Sequence, residues 1–385
     1  MRRLRTASTR RLVAIVAVLV ATVAAAGIAQ AALNSAPKPA PKSLDRAILD
    51  ATNAKPVAGV TARVHFTNNL LPSGALPENA ASPVLTGADG RLWLTNDGKV
   101  RLELQSDNGD AQLVADGERY MLYDATTKSA FVGRLPQGGK ADTPDAKKPT
   151  LSGIQQGLAK LGEAWTLSGA QPTTTAGRPT YTVRVAPKDD GGLLGAAELA
   201  WDAVRGVPLR AAIYAQVSDK PVLEVEATDV SYGKIPASKV TATPPAGSQV
   251  TEFDPPAGKD AQGKPVPHVE GVANVQKQLD FPLAAPDTLA GLPRRSVLLA
   301  TFGDEKGALL RYGSGFGQIL VFQRRAPGTA ASPLRLPEVN IDGATGQELA
   351  TALGTFLTFN RGGVSYVVAG SVPPVAAENA ARDLK

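Results

Sequence analysis

Side chains that attack, ligate or shuttle protons are scarce in this 385-residue chain, which has two histidines, His65 and His268, and no cysteine. Neither histidine has a second one at ligand spacing, so no metal centre is expected. His65 stands between Val64 and Phe66 in a strand-like run, and His268 borders a Pro-rich stretch; both read as ordinary polar positions. Gly313-Ser314-Gly315-Phe316-Gly317 has the outline of a phosphate loop or of a nucleophile elbow. A dinucleotide fingerprint must open a helix, whereas these glycines precede the strand pattern 318–323. An elbow needs glycine where Tyr312 stands. A hairpin turn accounts for the run better. Asp189-Asp190 followed by Gly191-Gly192 lacks the spaced carboxylates and closing glutamate of a calcium loop, which leaves a solvated turn. No positioned base, nucleophile or cofactor loop is left, so the chain is expected to be non-enzymatic, with no cofactor.

The formal charge of +6 is concentrated at one end, because Arg2, Arg3, Arg5, Arg10 and Arg11 supply five of those charges before residue 12. The rest of the chain is nearly neutral and has no cationic stripe, which argues against a nucleic-acid partner. The arginines precede an apolar run, residues 12–28, and the small-residue site Ala29-Gln30-Ala31, so residues 1–31 read as an export signal. Cleavage after Ala31 fits that site. Left uncut, the uncharged run 12–33 is long enough to anchor the chain in a membrane. Thr9-Arg10-Arg11-Leu12-Val13 also has the form of a twin-arginine signal. Either way the body is expected outside the cytoplasm, secreted or associated with the cell envelope. The lack of cysteine excludes disulfides, thiolate metal sites and a lipidated cysteine.

Residues 32–43 alternate proline with small and charged residues and read as a spacer. Ser43 is a candidate cap for a short helix from Leu44 to about Thr52, with Leu44, Ala47, Ile48 and Ala51 on one face. From Gly59 the pattern changes to period two. Asp89-Gly90, Asp97-Gly98, Asn108-Gly109 and Asp116-Gly117 read as hairpin turns, which predicts an antiparallel meander. A second helix is expected from Thr150 as cap, through Leu151, Ile154, Leu158 and Leu161, to Gly162. Further strands follow at 165–167, 180–186, 197–202, 209–216 and 222–232. The Pro-rich stretch 244–267 separates a second region, 268–385, with strands at 296–301, 308–312, 318–323, 356–359 and 364–369. That region closes with a helix opened by Pro373-Pro374, which packs through Ala377, Ala380, Ala381 and Leu384. The expected class is α+β: an open antiparallel β half-barrel over 44–243 with covering helices, then a small α+β domain. Trp93, Trp201, Tyr120 and Tyr123 either fill a core or line a cavity.

Residues 43–247 resemble the lipoprotein-carrier (LolA-like) superfamily, which includes the RseB/MucB-type periplasmic regulators with an appended C-terminal domain. The resemblance lies in the opening helix before Gly59-Val-Thr-Ala-Arg-Val-His-Phe66, in Gly117-Glu-Arg-Tyr-Met-Leu-Tyr-Asp124, and in Leu199-Ala-Trp-Asp-Ala-Val-Arg-Gly-Val-Pro-Leu209. That last run is similar to the family's tryptophan-aspartate-x-x-x-glycine-x-proline turn. In the second region Asp280-Phe-Pro-Leu-Ala-Ala-Pro286, Gly313 to Gly317 and Ser365-Tyr-Val-Val-Ala-Gly370 resemble the regulators' small domain. The resemblance implies an incomplete barrel of about eleven strands, partly plugged by helices, that holds acyl chains or an extended hydrophobic segment. It carries over no ligand residue; Arg63 is only a loose counterpart of the carriers' cavity arginine. By strand alternation the candidate lining is Leu92, Leu94, Leu102, Leu104, Val183, Val185, Ile213, Leu223 and Val225. The expected ligand is a lipid, an acyl chain or a lipoprotein. The alternative is a regulatory sensor that binds a membrane-bound anti-sigma factor or another membrane partner.

Overall fold

A computed structural model describes residues 38–71, 82–107, 109–135, 150–188, 192–253, 269–302, 305–326 and 336–385. The expected leader, His268, Asn108 and Asp189-Asp190 lie outside the described residues. Two β-sheets account for most of the molecule. The first contains β1 (Gly59–Asn68), β2 (Ala88–Thr95), β3 (Val100–Ser106), β4 (Gly109–Ala115), β5 (Arg119–Asp124), β6 (Ser129–Arg134), β7 (Trp165–Leu167), β8 (Gln171–Thr175), β9 (Arg178–Pro187), β10 (Leu194–Asp202), β11 (Pro208–Ala215), β12 (Pro221–Tyr232) and β13 (Gln249–Phe253). Its thirteen strands run in the order β13-β6-β5-β4-β3-β2-β1-β12-β11-β10-β9-β7, with β8 also paired to β9. It is an open half-barrel, antiparallel throughout except where β13 lies parallel to β6. The helices are α1 (Leu44–Asn53), α2 (Pro83–Thr86), α3 (Leu151–Leu161), α4 (Val272–Gln276) and α5 (Pro374–Asp383).

Turn chemistry sets much of this meander. Gly98 and Gly117 take positive φ between paired strands, and the Asp116 carboxylate accepts from the backbone N–H of Glu118 and Arg119. Asp89-Gly90 departs from the expectation of a turn, because both residues lie inside β2, paired with Gln105 and Leu104. The glycine there answers to closeness rather than to bending: a Cβ on Gly90 would stand 2.2 Å from the Glu103 carbonyl oxygen. Thr150 caps α3 as expected, its hydroxyl accepting from the Gly153 N–H at 3.2 Å. Ser43 does not cap α1 with its side chain.

After β12 the chain crosses one face of the sheet as a strap. Lys239 lies over the Trp93 ring at 5.6 Å, and Ala242 is buried with Val114, Met121 and Val132. The strap then enters the edge as β13. Part of the Pro-rich stretch expected to be a plain spacer is therefore strand, since residues 249–253 contain no proline and satisfy the open edge of β6.

The second sheet contains β14 (Thr288–Leu289), β15 (Leu292–Phe302), β16 (Glu305–Tyr312), β17 (Ile319–Arg325), β18 (Glu338–Ile341), β19 (Ala344–Thr351), β20 (Gly354–Arg361) and β21 (Val364–Gly370). Their order is β14-β15-β16-β17-β21-β20-β19-β18. Its core face carries Leu310, Tyr312, Val321, Leu357 and Val368 and packs against Ala377, Ala380 and Ala381 of α5. Tyr312 donates to the Pro286 carbonyl, and its burial pushes the phenol up to about 12. Gly313 and Gly315, both at positive φ, make the tight turn between β16 and β17. The two sheets meet end to end. Leu193 N–H donates to Ser371, Ala352 N–H donates to the Leu70 carbonyl, and Trp165 stands edge-on to Phe316 with ring centroids 5.5 Å apart.

Candidate ligand-binding face

Strand register decides which side chains share a face of the large sheet. Across β1 to β6, Ala62 pairs with Leu92, Leu92 with Leu102, Leu102 with Leu113, Leu113 with Leu122, and Leu122 with Phe131. Beyond β1, Phe66 pairs with Val225, Val225 with Ala211, Ala211 with Leu199, and Leu199 with Val183. A parallel row joins Leu223, Ile213, Ala197 and Val185. All nine sequence candidates therefore lie on one face, the front. Arg63 pairs with Arg91 and Asp229 on the back, exposed to solvent, so it does not reach this face.

The front is covered unevenly. Over β9 and β10, α1 packs Ala47 against Tyr181 and Trp201, with Val183 and Leu199 beside them. The turn after β10 seats that helix. Asp202 accepts from the N–H of Val204 and Arg205 and, at 2.8 Å, from the Tyr232 hydroxyl, while Gly206 takes φ +71°. A Cβ on Gly206 would stand 2.5 Å from the Ala51 carbonyl oxygen, so glycine lets α1 approach. This gives the Trp-Asp-x-x-x-Gly run a packing role. Leu94 and Leu104 are buried, while Leu92, Leu102 and Val225 pack at the margin of the core formed by Val60, Ala62, Val64 and Val230.

At the end of the row, α2 reaches the front, and the Ser82 hydroxyl bonds Asp124. Burial pushes the Asp124 carboxyl up, but that bond and the N–H groups of Thr127 and Thr126 outweigh it and hold it below the usual range. Next to this corner the row is open. Leu113 is 41% and Phe131 48% exposed, with Leu122 between them half-buried. These three residues extend the candidate set, and alternation alone does not find them, because β4 to β6 carry large apolar groups on both faces. Val114, Met121 and Val132 belong to the back, where the strap covers them. The aromatics divide accordingly. Trp201 is under α1, Trp93 is under the strap, Tyr123 packs at the back, and Tyr120 shares the front with Ala115.

The back between β9 and β12 sets ion pairs beside a small buried cluster of Ala196, Ala212 and Tyr214. Arg210 bonds Glu198 at 2.7 Å, Glu224 at 2.6 Å and the Tyr214 hydroxyl at 2.8 Å, and Arg184 bonds Glu198 at 2.8 Å. Burial opposes ionisation of Glu198, yet the bonds from Arg210, Arg184 and Tyr214 hold its carboxyl below the ordinary value. His65 pairs through Nδ1 with Asp89 at 2.7 Å, an exposed cross-strand contact. Among the described residues no three of His, Asp and Glu are grouped to hold a metal ion.

No family model matches the chain, and no curated protein matches it. Among solved structures it is similar to MucB in complex with MucA(peri), at 16% identity and TM-score 0.41, over 85% of this chain and 93% of that one. The MucA/MucB complex of Pseudomonas aeruginosa is similar at 16% identity and TM-score 0.41, over 88% and 94%. A putative outer membrane lipoprotein-sorting protein domain from Vibrio parahaemolyticus is similar at 10% identity and TM-score 0.19, over 49% and 92%.

Proposed function

We propose that this chain is an exported, non-enzymatic binding protein that holds a hydrophobic ligand on the front of its half-barrel, the ligand being a lipid acyl chain or the acylated end of a lipoprotein. The observation that carries this reading is the open apolar row Leu102-Leu113-Leu122-Phe131 beside a fully packed core. From β3 to β6 that row spans about 14 Å at the usual strand spacing, a length an extended acyl chain can follow. Removing the exposed parts of Leu113 and Phe131 from water contributes about 25 cal/mol per Å² covered, enough to favour capture without any covalent step. Burial of apolar area alone drives the process, which fits a face that presents no charge along the row.

The test is native mass spectrometry with lipid extraction on the protein purified from its own host, beside the variant Leu113→Asp/Phe131→Asp. A stoichiometric lipid on the native chain that is missing from the folded variant supports the reading. An equal lipid load on both removes this face from consideration, and a folded native chain that is consistently empty removes the carrier function.

A further inference from the structure

The strap leaves a hollow where it begins. Between the turn that joins β2 to β3, Ala58 ahead of β1, and residues 234–240 lies an open concavity of about 360 Å³. Thr95 follows Trp93 in the alternation of β2, so the hollow opens on the back, the face that the strap crosses. Close approach fixes its shape. A Cβ on Gly59 would stand 2.6 Å from Ile235 Cγ1, so glycine lets the strap start against β1, where the Gly233 N–H donates to the Gly59 carbonyl at 3.0 Å. On the other side Thr95, only 7% exposed, donates its hydroxyl to Asp97 and accepts from the Lys99 N–H at 3.0 Å, which locks the turn. The strap side of the hollow is apolar, through Ile235, Ala237 and Val240, and the rest carries Asn96, Lys99 and Lys234. Its charges do not balance. Asp97 pairs with Lys99 at 3.2 Å, and the Thr95 hydroxyl first of all holds that carboxyl below the usual range. Asp116, the other acid near Lys99, accepts from the backbone N–H of Glu118 and Arg119. Lys234 pairs with no carboxylate among the described residues, and Lys239, further along the strap, lies over the Trp93 ring.

We propose that this hollow binds a phosphate monoester with a small apolar body, its phosphate against Lys234 and Asn96 and its body against Ile235, Ala237 and Val240. An unanswered ammonium beside an apolar wall selects an anion that is not polar throughout. Lysine meets phosphate as a point charge, whereas planar carboxylate recognition is the work of an arginine fork, which the lining lacks. The volume is near the lower end for ligand pockets, so it admits a ring or a short chain and not a whole lipid. A soluble ester and the phosphate end of a lipid present the same chemistry to it. A ligand here touches the strap and the β2–β3 turn together and so fastens one to the other. The hollow is on the opposite face from the leucine row and does not depend on ligand capture there.

The test uses the full exported chain and follows backbone amide shifts by NMR during titration with phenyl phosphate, benzyl alcohol or inorganic phosphate. Phenyl phosphate should move the amides of Asn96, Lys99 and Ile235 and bind at least about tenfold more tightly than either of the others. Lys234→Glu should weaken it by at least about tenfold, and Ala237→Trp, which fills the hollow, should abolish it. Lys234 is exposed, so its variant decides the matter where circular dichroism shows Ala237→Trp unfolded. Phosphatidylcholine vesicles with and without phosphatidic acid separate the two sources. Displacement of phenyl phosphate only by the vesicles that contain phosphatidic acid supports a lipid phosphate, and displacement by neither supports a soluble ester. Benzyl alcohol or inorganic phosphate binding as tightly as phenyl phosphate overturns the proposal, as does an affinity unchanged in folded Lys234→Glu. Leu113→Asp/Phe131→Asp should leave the titration unchanged, which separates this result from the fate of the half-barrel ligand.

Discussion

The two wings of the large sheet use the same alternation and cover opposite faces. In the β9–β12 wing the front of β9 and β10 is sealed by α1 through Ala47, Tyr181 and Trp201, and the back carries the half-buried Arg184-Glu198-Arg210-Glu224 ladder beside Ala196, Ala212 and Tyr214. In the β3–β6 wing the back is sealed by the strap through Ala242, and the front leaves Leu113 and Phe131 open. A period-two pattern therefore reports two faces without saying which one the fold will cover. The covering segment decides that, and here each wing has its own.

The largest expected effect comes from removing the seal of the first wing. Trp201→Ala should cost about 3–5 kcal/mol in urea unfolding, the usual loss for emptying a large buried aromatic site. If it costs no more than a front residue of the other wing, the two fronts are equivalent and the comparison fails. Next is the strap. Ala242→Asp places a charge against Val114, Met121 and Val132, and about 2–3 kcal/mol of stability should be lost. Limited proteolysis should then cut at residues 236–248 before the rest of the sheet.

The ladder sharpens the contrast through pH. The folded carboxyl of Glu198 titrates below its unfolded value of about 4.5, so its contribution is complete above that pH and lost as pH falls through the lower folded value. Arg210→Met should flatten this acid limb in a pH series of melting curves. Glu226 has the opposite sign, because burial, with Glu224 beside it, raises its carboxyl. Its ionisation should weaken the fold as pH rises through the raised value. Glu226→Gln should therefore stabilise at neutral pH and have no effect at pH well below the ordinary carboxyl range; a gain that persists there would point to a cause other than charge. The smallest effect belongs to the open front. Leu113→Ser should change stability by less than about 1 kcal/mol, since two-fifths of the side chain is already in water.

Local signals made the antiparallel class, the export leader, the capped helix at Thr150 and the closing helix at Pro373-Pro374 readable as expectations, because turn residues and caps act within a few positions of themselves. Long-range demands explain the departures. Asp89-Gly90 has the sequence of a turn, but the strand pairing beside Gly90 needs a residue without a side chain. The hairpin of β18 and β19 is not evident from alternation, since Gly346 interrupts it, yet Asp342-Gly343 at positive φ marks its turn and is a usable signal. The strand β13 is visible only once β6 is known to lack a neighbour. Nine front residues follow from alternation, whereas Leu113, Leu122 and Phe131 emerge only when the strap assigns Val114, Met121 and Val132 to the back.

The late arrival of β13 bears on how the chain assembles. It is synthesised N-terminus first, so β6 emerges roughly 120 residues before the strand that caps it, and β1 waits even longer for β12. For that interval the half-barrel is an open ribbon with two unsatisfied backbone edges and its leucine row bare, the state in which sheet proteins pair with the wrong neighbour. The strap works as a latch in time as well as in space, and a chain truncated before residue 249 should be recovered mainly as aggregate, even though every strand of the meander is intact.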